Sequence, residues 1–258
     1  MTYTITKNEQ FNSIEISFDS KPSAEVREAL KALRFRWHSV KKVWYGYATE
    51  EAARKAIDGA TNPEAVYTVE TRPGYMGAIA WDGSNAKRGL YGAELSKALR
   101  QAFKTVGIHG VTVSCKTYSG GQNVGIKVKA TAVDFISLEE FVAGAKWTDF
   151  TRCGWIHDFD LGRDVLTDSA WNWDSDKIDR QTKKLAEEEY KRYTESAVDF
   201  SYRDAANYRI FTPAFVEKLK LIRMVMDSYN YDDSNSMVDY FDRGFYETFK
   251  IIPEGAAA

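Results

Sequence analysis

Residues 35 to 47 read FRWHSVKKVWYGY. Two aromatic runs, FRW and VWYGY, flank the polar stretch HSVKK, a pattern that favours two short strands joined by a tight turn over any helix. Upstream, SIEISF (13 to 18) alternates like a half-buried strand, and Pro22 with Ser23 then opens a helix running to about Leu33. Val26, Leu30 and Leu33 supply its apolar stripe. A second helix is expected from Thr49 to Ile57, with Ala53 and Ile57 facing inward. The first 58 residues thus predict a β-α-β-β-α unit.

The rest of the chain follows less compactly. GATNPEAVYTVETRPGYMGAIAWDGSNAKRG, 59 to 89, concentrates turn residues around one weak strand signal at AVYTV. It reads as a linker with an edge strand, and a boundary near residue 62 is expected. LYGAELSKALRQAFKTVG is amphipathic through Leu90, Leu95, Leu99 and Phe103, with Gly107 as its stop. GVTVSCKTYSGGQNVGIKVKAT predicts a hairpin around a Ser-Gly-Gly turn, with Val111, Val113 and Cys115 on one face and Thr112, Ser114 and Lys116 on the other. SLEEFVAGA is a short helix, and 176 to 196 a long charged one, apolar at Ile178, Leu185 and Tyr193, read as a solvated helix or extended arm. PAFVEKLKLIRMVMDSY is an apolar helix opened by Pro213, and the chain closes with a turn-rich acidic segment and a final strand. The expected fold class is α+β: a small module over 1–62, a linker over 63–89 and a larger α+β domain over 90–258, built from a helix, a hairpin or antiparallel sheet, and long helices.

Charge narrows the function. Lys plus Arg (35) nearly balances Asp plus Glu (37), so the chain lacks the field of a dedicated duplex binder, and any nucleic-acid contact has to be a local patch. The two cysteines, Cys115 and Cys153, form no CxxC, which argues against a disulfide framework or thiolate zinc site and for a reducing compartment. MTYTITKNEQ lacks an apolar signal core, and no apolar run reaches the about 18 residues a membrane helix needs. A cytoplasmic protein without membrane contact is expected.

Two stretches carry resemblances. GLYGAELSKALRQAFKTVGIHGVTVSCKTYSGGQNVGIKVKAT, followed by SYNYDDSNSMVDYFDRGFY, resembles the large polyvalent protein-associated domains of phage and mobile-element proteins, over roughly residues 88 to 250. The first 58 residues resemble a small N-terminal module of phage and conjugative-plasmid proteins, some anti-CRISPR proteins among them. Phe18, Lys21, Pro22, Arg27, Leu30, Phe35, Arg36, Trp37, Trp44 and Tyr45 stand at that module's pattern positions. Arg34 departs from it, because a glycine usually precedes Phe-Arg-Trp and would provide a helix C-cap. The resemblances imply a bacterial host cell and a mobile element, and carry over no catalytic residues.

Candidate sites each have two readings. In the hairpin, Arg34, Arg36, His38, Lys41 and Lys42 can contact phosphates while Trp37, Trp44 or Tyr45 stack on bases; equally, Trp37 and Trp44 can pair across strands as the core of a small domain. His157, Asp158, Asp160 and Asp164 in HDFDLGRD have the donor types for a divalent metal in a nuclease, but Asp-rich loops more often make turns and caps. Asp232, Asp233, Asp239 and Asp242 lack the central glycine and closing glutamate of an EF-hand. Cys115 falls on the apolar phase of its strand, which suits a small buried hydrophobe better than a nucleophile. The carboxylates of 158–195 and 227–247, beside Trp171, Trp173, Tyr229, Tyr231, Tyr240 and Phe241, can imitate a nucleic-acid backbone or simply form a solvated face. Partner contacts are accordingly expected at Tyr231, Asp232, Asp233 and Tyr240 as well as at the hairpin.

No P-loop, GxSxG, HExxH or Rossmann fingerprint occurs, so binding is expected over catalysis and no cofactor is expected. The leading expectation is a counter-defence protein that binds a host defence nuclease or its nucleic acid stoichiometrically, as a CRISPR inhibitor does. The alternatives are a metal-dependent nuclease and a DNA- or RNA-binding accessory factor of replication or transfer.

Overall fold

The structure is a computed structural model that describes residues 2–74, 77–150, 155–170, 172–201, 208–235 and 241–256. It is an α+β protein. The chain forms two compact units, Met1–Ile126 with Lys218–Thr248, and Lys127–Glu217 with Phe249–Ala258. Among the described residues no helix is long and apolar enough to cross a membrane.

The first unit opens with a four-stranded antiparallel sheet in the order β1-β2-β4-β3, made of β1 (Tyr3–Asn8), β2 (Ser13–Phe18), β3 (Arg36–His38) and β4 (Val43–Gly46). β1 was not legible as a strand; its alternation places only Tyr3 and Ile5 against the core. Helices α1 (Ala24–Ala32) and α2 (Glu50–Thr61) cover one face. Each starts where a hydroxyl caps it: Ser23 accepts from the Val26 amide at 3.3 Å and Thr49 from the Ala52 amide at 3.2 Å. Ile16, Val26, Leu30, Phe35, Trp44, Ala53 and Ile57 close the core between sheet and helices.

The exit from α1 explains the missing glycine. Phe35 N–H donates to Leu30 O at 3.0 Å and Arg34 N–H to Lys31 O at 2.8 Å, the paired bonds of a Schellman cap. α4 (Gly92–Thr105) ends in the same way, with Ile108 N–H on Phe103 O at 2.8 Å and Gly107 N–H on Lys104 O at 3.1 Å. There the left-handed residue is Gly107 at φ 73°, whereas in α1 it is Arg34 at φ 65°. An L-residue in that region costs about 1–2 kcal/mol, and glycine's extra unfolded-state freedom returns part of the difference. Arg34→Gly is therefore expected to stabilise the protein by about 0.5–1 kcal/mol, read as a rise in the urea midpoint. A fall would contradict the cap.

After α2 come α3 (Pro63–Val66), β5 (Val69–Pro73) and β6 (Ile79–Gly83). The segment read as linker thus holds two strands, and the signal at AVYTV lies at the α3–β5 junction. β5 is an edge strand, while β6 sits centrally in the order β12-β6-β5 because β12 (Tyr231–Asp232) joins it from far along the chain. α4 buries Leu95, Leu99, Ala102 and Phe103; Leu90 precedes it. β7 (Val111–Tyr118) and β8 (Gly121–Ala130) form the expected hairpin, turned at Gly120 with φ 82°. Later in the chain come α8 (Pro213–Ser228) and β13 (Tyr246–Pro253).

In this unit residues of the two segments that carry the polyvalent-domain resemblance work as internal ties. Gln122 donates to Leu90 O at 2.9 Å and to Gly244 O at 3.0 Å, and accepts from Gly92 N–H at 3.0 Å. Asn230 accepts from the Phe245 amide at 2.9 Å and donates to its carbonyl at 3.1 Å.

The second unit contains α5 (Leu138–Gly144), the β9–β10 hairpin (Trp155–Asp158 and Arg163–Leu166), α6 (Thr167–Ala170), α7 (Ser175–Glu195) and β11 (Val198–Asp199), which pairs with the later half of β13. Phe211 is the hub of its core, with Phe135 at 5.3 Å, Phe200 at 5.9 Å and Phe215 at 5.0 Å between ring centroids. α7 is not a free arm. It buries Gln181, Ala186 and Tyr193, and Tyr190 donates to Ile136 O at 2.8 Å. Small and polar side chains make much of that inner face, so hydropathy did not reveal it.

Candidate nucleic-acid interface

Pairing in the β3–β4 hairpin divides the residues of FRWHSVKKVWYGY between two faces. Trp37 stands opposite Trp44, and Arg36 opposite Tyr45. Because side chains alternate across a sheet, the tryptophans lie on the helix-covered face with Ile16, while Arg36, His38 and Tyr45 lie on the other with Glu15. The ring centroids of Trp37 and Trp44 are 5.8 Å apart at 54°. Trp44 is core, at 6% exposure. Trp37, on the edge strand, keeps 47% of its surface exposed. The cross-strand pair is present, but only one partner is committed to the core.

Beside Trp37 opens a groove of about 590 Å³, lined by Phe18, Asp19, Ser20, Lys21, Pro22, Arg27, Lys31, Trp37, Lys42 and Trp44. Phe18 and the tryptophans give it an aromatic lining. Four cations reach it from three places: Lys21 from the loop before α1, Arg27 and Lys31 one helical turn apart on α1, and Lys42 from the β3–β4 turn at φ 56°. Asp19 is the sole carboxylate in the lining. A hydrogen bond from the Thr2 amide holds its carboxyl below the ordinary carboxylate value. Lys31 also meets Glu28 at 2.7 Å, an exposed pair of small energetic weight, and Arg27 Nε donates to Ser23 O at 3.3 Å. A positive, partly aromatic recess of this kind complements an anion that carries flat rings.

Comparison of the chain with protein-family models, curated proteins and solved structures finds no match.

The remaining hairpin candidates lie elsewhere. Lys41 pairs with Glu15 at 3.0 Å, and the Asn8 amide and Lys41 together hold the Glu15 carboxyl below its usual value. His38 accepts from the Lys41 amide through Nδ1 at 3.2 Å and packs edge-on against Tyr45. Arg34 is exposed at the helix cap. Of the hairpin residues singled out for contact, Trp37, Lys42 and Trp44 line the groove. Lys21, Arg27 and Lys31 complete it. Two sequence signals pointed to them: the four-residue spacing of Arg27 and Lys31, and the module pattern itself, whose Phe18, Lys21, Pro22, Arg27, Trp37 and Trp44 converge here.

The acidic candidates are bound into the fold. Asp232 pairs with Arg243; Asp233 meets Arg72 at 3.2 Å and Arg88 at 3.7 Å; Asp242 meets Arg88 at 2.6 Å. Tyr231 is 8% exposed beneath Arg88, whose guanidinium is 4.7 Å from the ring centroid, and burial with the neighbouring Asp242 pushes its phenol up to about 12. Much of the expected acidic surface on this segment is thereby neutralised. Tyr240, with Asp239, Cys153 and Trp171, lies outside the described residues.

In the second unit Asp158 is fully buried and accepts from four donors: Lys177 Nζ at 2.8 Å, the amides of Asp160 at 2.9 Å and Leu161 at 3.2 Å, and Gln181 Nε2 at 3.2 Å. Its neighbours are equally engaged. His157 Nδ1 is 2.9 Å from Asp164, and Asp160 faces Arg180 at 3.4 Å. Among the described residues no group of three or more His, Cys, Asp or Glu is placed to hold a metal. The cluster works as a turn anchored on α7. Cys115 is half-buried, donates to Gln122 Oε1 at 3.1 Å, and has its thiol pushed up by burial, which suits packing rather than nucleophilic attack.

Proposed function

We propose that the chain acts by binding nucleic acid through its N-terminal module, as a factor of a mobile element. One observation carries this reading: Lys21, Arg27, Lys31 and Lys42 converge on a tryptophan-lined groove that contains a single carboxylate. In a chain of net charge −2 this is the local patch that phosphate binding needs. The resemblance of the first 58 residues to a module of phage and plasmid proteins supports use of the groove in replication, transfer or counter-defence. In the last case binding would be stoichiometric, by occupying the guide or target strand of a nuclease such as a CRISPR effector. Counter-defence rests on the resemblance; nucleic-acid binding rests on the groove.

Salt dependence tests it. Three or four phosphate contacts to a single strand give a slope of log affinity against log salt of about −2 to −3, and each lost contact reduces it by about 0.7. Lys21→Glu with Lys42→Glu is expected to weaken binding at least tenfold and flatten that slope, measured by fluorescence anisotropy with the full chain. Unchanged affinity and slope would refute the reading.

A further inference from the structure

We infer that the groove takes an unpaired nucleotide, with the base stacked on the open face of Trp37 and its phosphates held by the cations, and that the protein therefore selects single strands over duplex. This rests on the proposed function and names the ligand class at the same site. The ring of Trp37 lies 5.8 Å from that of Trp44 at a tilt of 54° and keeps 47% of its surface exposed, so a contact within the fold positions it while ring surface stays free for a ligand. A base in a duplex has both faces covered by its neighbours and cannot offer one to an indole without unstacking, whereas a single strand offers every base in turn.

The charge placement agrees. Lys21, Arg27 and Lys31 come from the loop and helix on one side of the recess and Lys42 from the hairpin turn, which suits a backbone crossing the groove rather than one lying on a flat basic surface. The volume, about 590 Å³, lies within the range of small-ligand clefts and admits a base with its sugar and phosphate but not the width of a double helix. Asp19 and Ser20 are the only lining side chains that bear an acceptor, and the four cations, which donate only, are assigned to the phosphates, so stacking rather than base identity dominates.

The test compares a labelled single strand of about 12 nucleotides with a hairpin duplex of the same sequence, using the full chain. The single strand is expected to bind at least tenfold more tightly. Trp37→Leu, which keeps an apolar contact to Trp44 but has no ring, is expected to lose about 10- to 100-fold on the single strand, with Trp37→Phe recovering most of the loss. Thermal midpoints of both variants establish that they fold, and the Phe-against-Leu contrast separates stacking from general destabilisation. Equal or tighter duplex binding, or Leu and Phe variants of equal affinity, would overturn this inference; if Lys21→Glu with Lys42→Glu still abolishes binding, the proposed function survives. Binding of neither nucleic acid overturns both.

Discussion

Replacement of Gly83 by alanine is expected to cost the protein about 3 kcal/mol or more of stability. Gly83 ends β6 against the C-terminal end of α8, and a methyl group there would fall 2.3 Å from the carbonyl oxygens of both Asp227 and Ser228. Neither oxygen belongs to a side chain that can swing away. The same contact is clamped by Gly83 N–H on Asn230 O at 2.9 Å, Asn85 N–H on Ser228 O at 2.7 Å, and Asn85 Nδ2 on Ser228 Oγ at 3.1 Å. Relieving the clash means breaking this set in a buried place, which puts the cost at or beyond the upper end of the usual 1–3 kcal/mol for overpacking. The urea midpoint measures it. A loss below about 0.5 kcal/mol would mean that the C-terminal end of α8 does not pack on β6 as described.

Asp158→Ala is the second large effect, and it separates a structural carboxylate from a metal ligand. The substitution leaves the buried Gln181 amide and the loop amides of Asp160 and Leu161 without their acceptor, and Lys177 without its partner, a loss of about 2–3 kcal/mol. Divalent cations are expected to leave the thermal midpoint of the parent protein unchanged. A metal site gives the opposite pattern, with a strong rise on adding cation and a mild effect of the substitution without it.

The same carboxylate sets a pH dependence. Burial pushes Asp158 up, but the Lys177 ammonium and the two amides more than offset this and hold it below its ordinary value of 3.8. A carboxyl depressed in the folded state contributes stability that is present above its unfolded value and is lost as pH falls toward the folded one. Acid unfolding of the parent protein should therefore steepen below about pH 4, and Asp158→Asn should flatten that limb.

How much of this was legible varies along the chain. The N-terminal module was readable because its signals are local: Ser23 and Thr49 sit where caps belong, the aromatic runs pair with each other, and Val26, Leu30, Ala53 and Ile57 fall on helical period. β6 and β12 were not, since Tyr231 finds Asp82 across about 150 residues and neither strand has enough alternation to announce itself. The groove was half legible. Lys42 and Trp44 come from FRWHSVKKVWYGY, where Arg36, His38 and Lys41 offer similar chemistry; strand pairing puts Arg36 and His38 on the opposite face, and Lys41 pairs with Glu15 there. Trp37 misled for a related reason. Alternation sets its face correctly, yet only the position of β3 at the sheet edge leaves its ring open. The carboxylates misled through their partners: Arg72, Arg88 and Lys177 are distant in sequence from the aspartates they neutralise.

The proposed nucleic-acid site is this groove, and not the opposite sheet face or the acidic segments. Photo-crosslinking tests it most directly: a single strand carrying 5-iodouracil is irradiated with the full chain, and the adducts are located by peptide fragmentation. Adducts at Trp37, with Phe18 or Trp44 as secondary sites, are the expected result. Adducts confined to Tyr45 and His38 on the other face, or to residues beyond the first 62, would contradict it.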